Sequence, residues 1–184
     1  MHDTAYYVHR VRDFHGKHDA PIGPNVTNRG VLTLRKSLVY EEAGEVMLAL
    51  HDKDELELID GLGDLLYVTA GMWVAMIGVQ QLPGKLNLVD FTRPALWDHT
   101  CEKVIHNRVD AVVDFTANIV TGSYFHLAIY NAVLALHELG YDPKAVFDEI
   151  HSSNMTKTPT KGDIRVRVKG PDYRAPDLSR FLRG

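Results

Sequence analysis

Carboxylates embedded in apolar, helix-period sequence restrict this chain more than any other feature. Tyr40-Glu41-Glu42-Ala43-Gly44-Glu45-Val46 is echoed by Asp60-Gly61-Leu62-Gly63-Asp64-Leu65-Leu66. On a helix Glu42 and Glu45 lie one turn apart, Glu41 reaches Glu45 at i,i+4, and Asp60 reaches Asp64 in the same way. If the two helices pack side by side, at least four carboxylates meet at one place. Anions so close repel, and each loses hydration, unless protons or cations answer them. Mg2+ or Mn2+, two or more per site, is the expected answer, because hard ions take oxygen ligands. A solvated acidic face is the commoner fate of one such cluster, but two clusters hemmed by Val, Leu and Met are harder to explain that way. A di-iron site would want Glu-x-x-His pairs, and Glu102 is followed by Ile105 and only then His106.

A length of 184 residues with 45% hydrophobic content suits one domain with a real core. The formal charge of −4 gives no reason to expect a nucleic acid polymer as partner. Charge is uneven, however: from Asn154 onward eight Lys and Arg face three Asp. An acidic body with a basic tail suits a metal-bound phosphate ligand, although a solvated tail would look the same. Cys101 is the only cysteine, which favours a reducing, cytoplasmic location. Leu65 to Val79 is strongly apolar but shorter than the ~20 residues of a membrane span. It reads as a helix buried on all sides, in a bundle or a subunit interface, and no membrane partner is expected.

The remaining periodicity is mainly helical. Tyr7, Val11 and Phe14 predict a short helix over about 4–15, then a loop to Gly30. A second helix spans about Val31 to His51 and is broken by His51-Asp52-Lys53. Asp54 and Glu57 read as a capping box opening a third helix, which runs to about Gly78. Helices follow over about 95–120 and from Ser123 to Leu139, stopped by Gly140. Asp142-Pro143 starts the last helix, which ends near Ser153. Ile164, Val166 and Val168 then alternate with Arg165, Arg167 and Lys169, predicting an extended arm with one basic face.

Glu41-Glu42-x-x-Glu45 and Asp64-Leu65-Leu66-Tyr67-Val68, with the closing run Ser153-Asn154-Met155-Thr156-Lys157, resemble the all-α, MazG-like nucleoside triphosphate pyrophosphatase superfamily. Within it the chain looks like the phage and bacterial phosphoribosyl-ATP pyrophosphohydrolase-like branch, with MazZ-type phage enzymes the suspected relatives. The resemblance implies an all-α, MazG-like helical bundle, here ending in a short basic extended arm, as one domain over 1–184; the chain departs from the family in a helical insert of unassigned role at about 80–125, where relatives pass quickly to the final helix. It also implies a homodimer or homotetramer. The expected reaction takes a nucleoside triphosphate to the monophosphate and pyrophosphate. Guanine nucleotides, dGTP or GTP, are the favoured substrates. A dUTP or dCTP pyrophosphatase is the alternative within the superfamily, and a non-catalytic metal-nucleotide binder the alternative outside it.

Under that resemblance Glu42, Glu45 and Asp64 are the metal ligands and Asp60 a further one. Glu41 is either a further ligand or the base that orients the attacking water, and Glu41 and Glu42 together are the catalytic pair. Arg35 and Lys157 face phosphate oxygens; without the resemblance, Lys157 would read equally well as a solvated lysine. Asn154, Arg165, Arg167, Lys169 and Tyr173 complete the substrate-binding set. His15 and His151 match family positions without an assigned chemistry, and Trp73 and Trp97 read as core or interface. The superfamily usually has Glu where this chain has Gly61, so Asp60 is expected to supply the missing oxygen.

Overall fold

The computed structural model describes residues 2–25, 27–79, 84–86, 88, 96–117, 125–158 and 169–183. Six helices carry the fold: α1 (Ala5–Lys17), α2 (Arg29–Asp52), α3 (Glu55–Met76), α4 (His99–Ala117), α5 (Phe125–Glu138) and α6 (Pro143–Asn154). The all-α expectation holds. Among the described residues the only strand pairing is two residues long, β1 (His2–Asp3) against β2 (Lys85–Leu86).

α3 is the axis of the bundle, with α1, α2, α5 and α6 packed around it. Among the described residues it alone is long and apolar enough to cross a membrane, and most of it is buried inside the protein. The cover that an all-round apolar helix demands is therefore supplied within one chain. α1 and α2 bury single stripes, Tyr7-Val11-His15 on α1 and Val31-Arg35-Val39-Ala43 on α2, each at i,i+4 spacing. α4 comes from the stretch whose role the sequence leaves open. It lies on α5 and α2, and Arg108 donates to both Glu138 oxygens, at 2.8 and 2.5 Å.

The helix ends follow local chemistry. Asn28 accepts from Val31 N, Asp54 from Leu56 N and Glu57 N, and Asp142 from Lys144 N and Ala145 N, so each satisfies amides that lack intrahelical partners. α2 stops where Lys53 turns into the left-handed region, at φ 56°. Gly140 (φ 87°) ends α5, and the next amide, of Tyr141, returns to Leu136 O at 3.0 Å. The C-terminal carbonyls of α3 are answered by the loop before α2: Gly23 N donates to Val74 O and Asn25 N to Met76 O.

Two glycines set how closely the neighbours approach α3. A Cβ on Gly63 would stand 3.0 Å from Val146 and Ile150 of α6, and one on Gly61 would stand 3.0 Å from Val46 Cγ2 and 3.3 Å from Val46 N of α2. Gly61 is therefore a packing contact between α2 and α3. A Glu there would have to push α2 away, and overpacking of this kind costs roughly 1–3 kcal/mol or more. Gly61→Glu is expected to lower the melting temperature by several degrees, read by circular dichroism. An unchanged melt would show that α2 yields freely.

The Arg165 and Arg167 face of the expected basic arm, with Ile164, Val166 and Val168, lies outside the described residues. Past it, residues 169–183 run back along the bundle, and Leu178 is buried.

Candidate active site

α1, α2, α3 and α6 enclose a cavity of about 220 Å³. One wall is apolar and aromatic, built from Val11, Phe14, Leu38, Tyr67 and Val68. The same lining carries Glu42 and Asp64 with Arg35, Asn154 and Lys157; Arg35 and Glu42 flank Leu38 on α2, and Asp64 lies one turn from Tyr67 and Val68 on α3. Asp64, Asn154 and Lys157 also line a smaller cavity of about 90 Å³, shared with Asp60, Lys169 and Tyr173. A carboxylate, an amide and an ammonium thus border both spaces.

The acidic side is electrostatically loaded. Burial, then Asp64, Glu45, Glu41 and Asp60, push the Glu42 carboxyl far above the usual carboxylate range. Asp64 is raised by burial first and Asp60 next, with Lys157 and Lys169 pulling it back. Burial, then Glu57 and Glu45, raise Asp60 against the same two lysines. Glu42 Oε2 and Asp60 Oδ1 are buried with no hydrogen-bond partner.

Glu45 and Glu41 are exposed. Glu45 lines a separate surface hollow with Asp52, Asp54 and Glu57, while its charge is still felt by Glu42, Asp60 and Asp64. Among the described residues no three Asp, Glu, His or Cys side chains are drawn together as a metal-holding group. The expected carboxylates thus divide into Glu42, Asp60 and Asp64, which face the cavities, and Glu41 and Glu45, which face outward.

Arg35 is buried, and a Cβ on Gly71 would stand 3.4 Å from its Nη1 and 3.3 Å from His15 Nε2. The bare backbone at Gly71 thus gives both side chains room against α3. His15 Nδ1 lies 2.8 Å from Pro21 O, and since a carbonyl only accepts, Nδ1 carries the proton and the ring is held by the loop. His151 is buried, 3.2 Å from the Tyr67 hydroxyl, and burial lowers its pKa to about 4, so the ring is neutral near pH 7. Trp73 is core. The aromatic wall was not singled out from the sequence. Tyr67 and Val68 belong to the second motif and Phe14 precedes His15, but periodicity alone does not tell a cavity wall from a core contact.

Residues 14–81 match the phosphoribosyl-ATP pyrophosphohydrolase family. That family lies within the MazG-like superfamily that the two motifs resemble. The matched segment carries Phe14, Arg35, Glu41, Glu42, Glu45, Asp60, Asp64 and Tyr67, and leaves Asn154, Lys157, Lys169 and Tyr173 outside it. An uncharacterized protein of Acanthamoeba polyphaga mimivirus is 29% identical over 151 residues, covering 71% of this chain. The chain spans 60% of that relative's length. No solved structure gives a significant match.

Proposed function

We propose that this chain is a nucleoside triphosphate pyrophosphohydrolase, releasing a monophosphate and pyrophosphate. One observation carries the reading. A single cavity joins an aromatic wall to carboxylates and cations, and most of it is built from the segment that matches the phosphoribosyl-ATP pyrophosphohydrolase family.

The donor set fits Mg2+ or Mn2+: the groups are hard oxygens, two buried carboxylate atoms lack hydrogen-bond partners, and burial first, then neighbouring carboxylates, raises Glu42, Asp60 and Asp64. Glu42, Asp64 and Asp60 hold the cation in this reading, with Glu45 joining from the outer face of α2. When bound, it neutralises phosphate charge and makes water more acidic. Arg35 and Lys157 donate to phosphate oxygens and restrain the triphosphate, while the Asn154 amide fixes its orientation. Phe14 and Tyr67 exclude water around the base. Water attacks the α-phosphorus, the bond to the α,β-bridging oxygen breaks, and pyrophosphate leaves with that electron pair. Glu42, which faces the cavity where Glu41 does not, takes the proton of the water.

Guanine nucleotides, dGTP and GTP, are the favoured substrates, on the strength of the branch the sequence resembles. A homo-oligomer belongs to the same reading, supported by Tyr40 and Leu48 exposed on the outward face of α2 and Leu56 exposed at the start of α3. A cytoplasmic location is supported by the free Cys101 thiol.

The test is product analysis across all ribo- and deoxynucleoside triphosphates with Mg2+ or Mn2+. Monophosphate and pyrophosphate are expected. Orthophosphate release overturns the reaction, and nucleotide binding with no turnover replaces it with a binding protein. A strong preference for dUTP or dCTP overturns the guanine assignment alone.

A further inference from the structure

Glu149 sits on α6, away from both cavities, yet it is a buried carboxylate with partners drawn almost entirely from the C-terminal segment. Asp177 N donates to its Oε1 at 3.1 Å, Arg180 Nη2 to its Oε2 at 3.1 Å, and Arg174 Nη2 stands 3.8 Å from Oε1. The segment continues the contact up the helix. Arg174 donates to Ser152 Oγ at 2.6 Å and, through its backbone amide, to Thr156 Oγ1 at 2.9 Å, while Tyr173 Oη stands 3.5 Å from Ser153 Oγ. Tyr173 and the Arg174 amide meet Ser153 and, just past the end of α6, Thr156, whereas Asp177 and Arg180 meet Glu149 about a turn or more earlier, so the segment runs broadly antiparallel to the helix.

That register has a consequence at the small cavity. Lys169, Tyr173 and Pro176 line it opposite Asp60 and Asp64, and Lys169 Nζ lies 5.1 Å from the centre of the Tyr173 ring. The Ser153–Tyr173 contact is long, at 3.5 Å, and Lys169 is exposed. The charged anchor is four residues before Ser153, at Glu149, which lies on the same helical face. Hydrogen bonds to a charged group are the strong ones, and a buried carboxylate stripped of its cations is left with a desolvation penalty.

We propose that Glu149 is a positioning residue: it fixes the C-terminal segment along α6 so that Lys169 and Tyr173 stay against Asp60 and Asp64. Their part in substrate binding rests on the pyrophosphohydrolase reading. Glu149 touches no substrate and acts through the segment it holds.

Two measurements on the full chain test this. Trypsin cleavage after Arg174 is expected to accelerate about tenfold in Glu149→Gln, because proteolysis follows local opening. With the triphosphate that is turned over fastest, KM is expected to rise about tenfold and kcat to stay within about twofold, the signature of lost binding. Combining Glu149→Gln with Lys169→Ala should then raise KM no further than the larger single effect. Unchanged cleavage overturns the anchor. Faster cleavage with unchanged KM, or with effects that multiply, overturns the positioning role. If the parent releases no pyrophosphate from any nucleotide, the pyrophosphohydrolase reading fails on its own, and cleavage still decides the anchor. Should Glu149→Gln not fold, Arg180→Met breaks the same contact from a side chain that is more than half exposed.

Discussion

Asp64→Asn is expected to lower pyrophosphate release by about a thousandfold while giving a metal-free protein that melts higher than the parent. The first effect follows because cation stabilisation of a phosphoryl transition state is worth several kcal/mol, and each 1.36 kcal/mol is a factor of ten. The second follows from the direction of the Asp64 shift, raised by burial and by Asp60. A carboxyl whose folded pKa exceeds its unfolded value of about 3.9 destabilises the fold at any pH where it is ionised. The metal-free parent should therefore gain stability as pH falls through the raised value toward 3.9. The variant's advantage, several degrees near neutral pH, should vanish below about pH 3.9, where Asp64 is protonated folded or unfolded. Scanning calorimetry in chelator at several pH values, with a pyrophosphate assay, checks both. Wild-type turnover by Asp64→Asn removes Asp64 from the ligand set, and a lower metal-free melt contradicts the electrostatic account.

Phe147→Ala carries the largest expected loss of stability. Its ring is fully buried, 4.7 Å from the Tyr7 ring on α1, 5.4 Å from Tyr67 on α3, and parallel to His151 at 6.2 Å. Truncating such a ring costs roughly 3–5 kcal/mol, partly through the cavity left behind. For a chain of this size that is roughly 10 °C in melting temperature. Tyr67 lines the larger cavity and α6 leads into Asn154 and Lys157, so under the proposed reading KM should rise as well. A melt within a degree or two of the parent would mean that the three helices close over the gap.

The elements legible in the sequence were those whose signals are local. Asp54, Asp142-Pro143 and Gly140 mark helix ends through hydrogen bonds made within a few residues, and the structure ends its helices there. The carboxylates stood out because their chemistry conflicts with their apolar surroundings. Side-chain direction was not legible in the same way. Glu42 and Glu45 share one face by spacing, but Glu42 lines the larger cavity while Glu45 is exposed. Gly61 was the instructive case: read as the place of a missing Glu, it is also a point of contact between two helices, visible only once Val46 lies against it. The anchoring by Glu149 was equally hidden, since it joins residues about thirty positions apart through a segment with no periodicity.

α3 is covered by four helices, and that burial fixes a hierarchy of motion. Backbone so enclosed exchanges its amide hydrogens only when the whole bundle opens, whereas an outward helical face fluctuates at lower free energy. Asp60 and Asp64 ride on the first kind of backbone, Glu42 lines the cavity from α2, and Glu45 projects from the second kind of face. Under the proposed reading the ligand set has a fixed part and an adaptable one. A cation arriving with its nucleotide finds the fixed part in place and gathers Glu45, so binding and the last step of assembling the site become the same event.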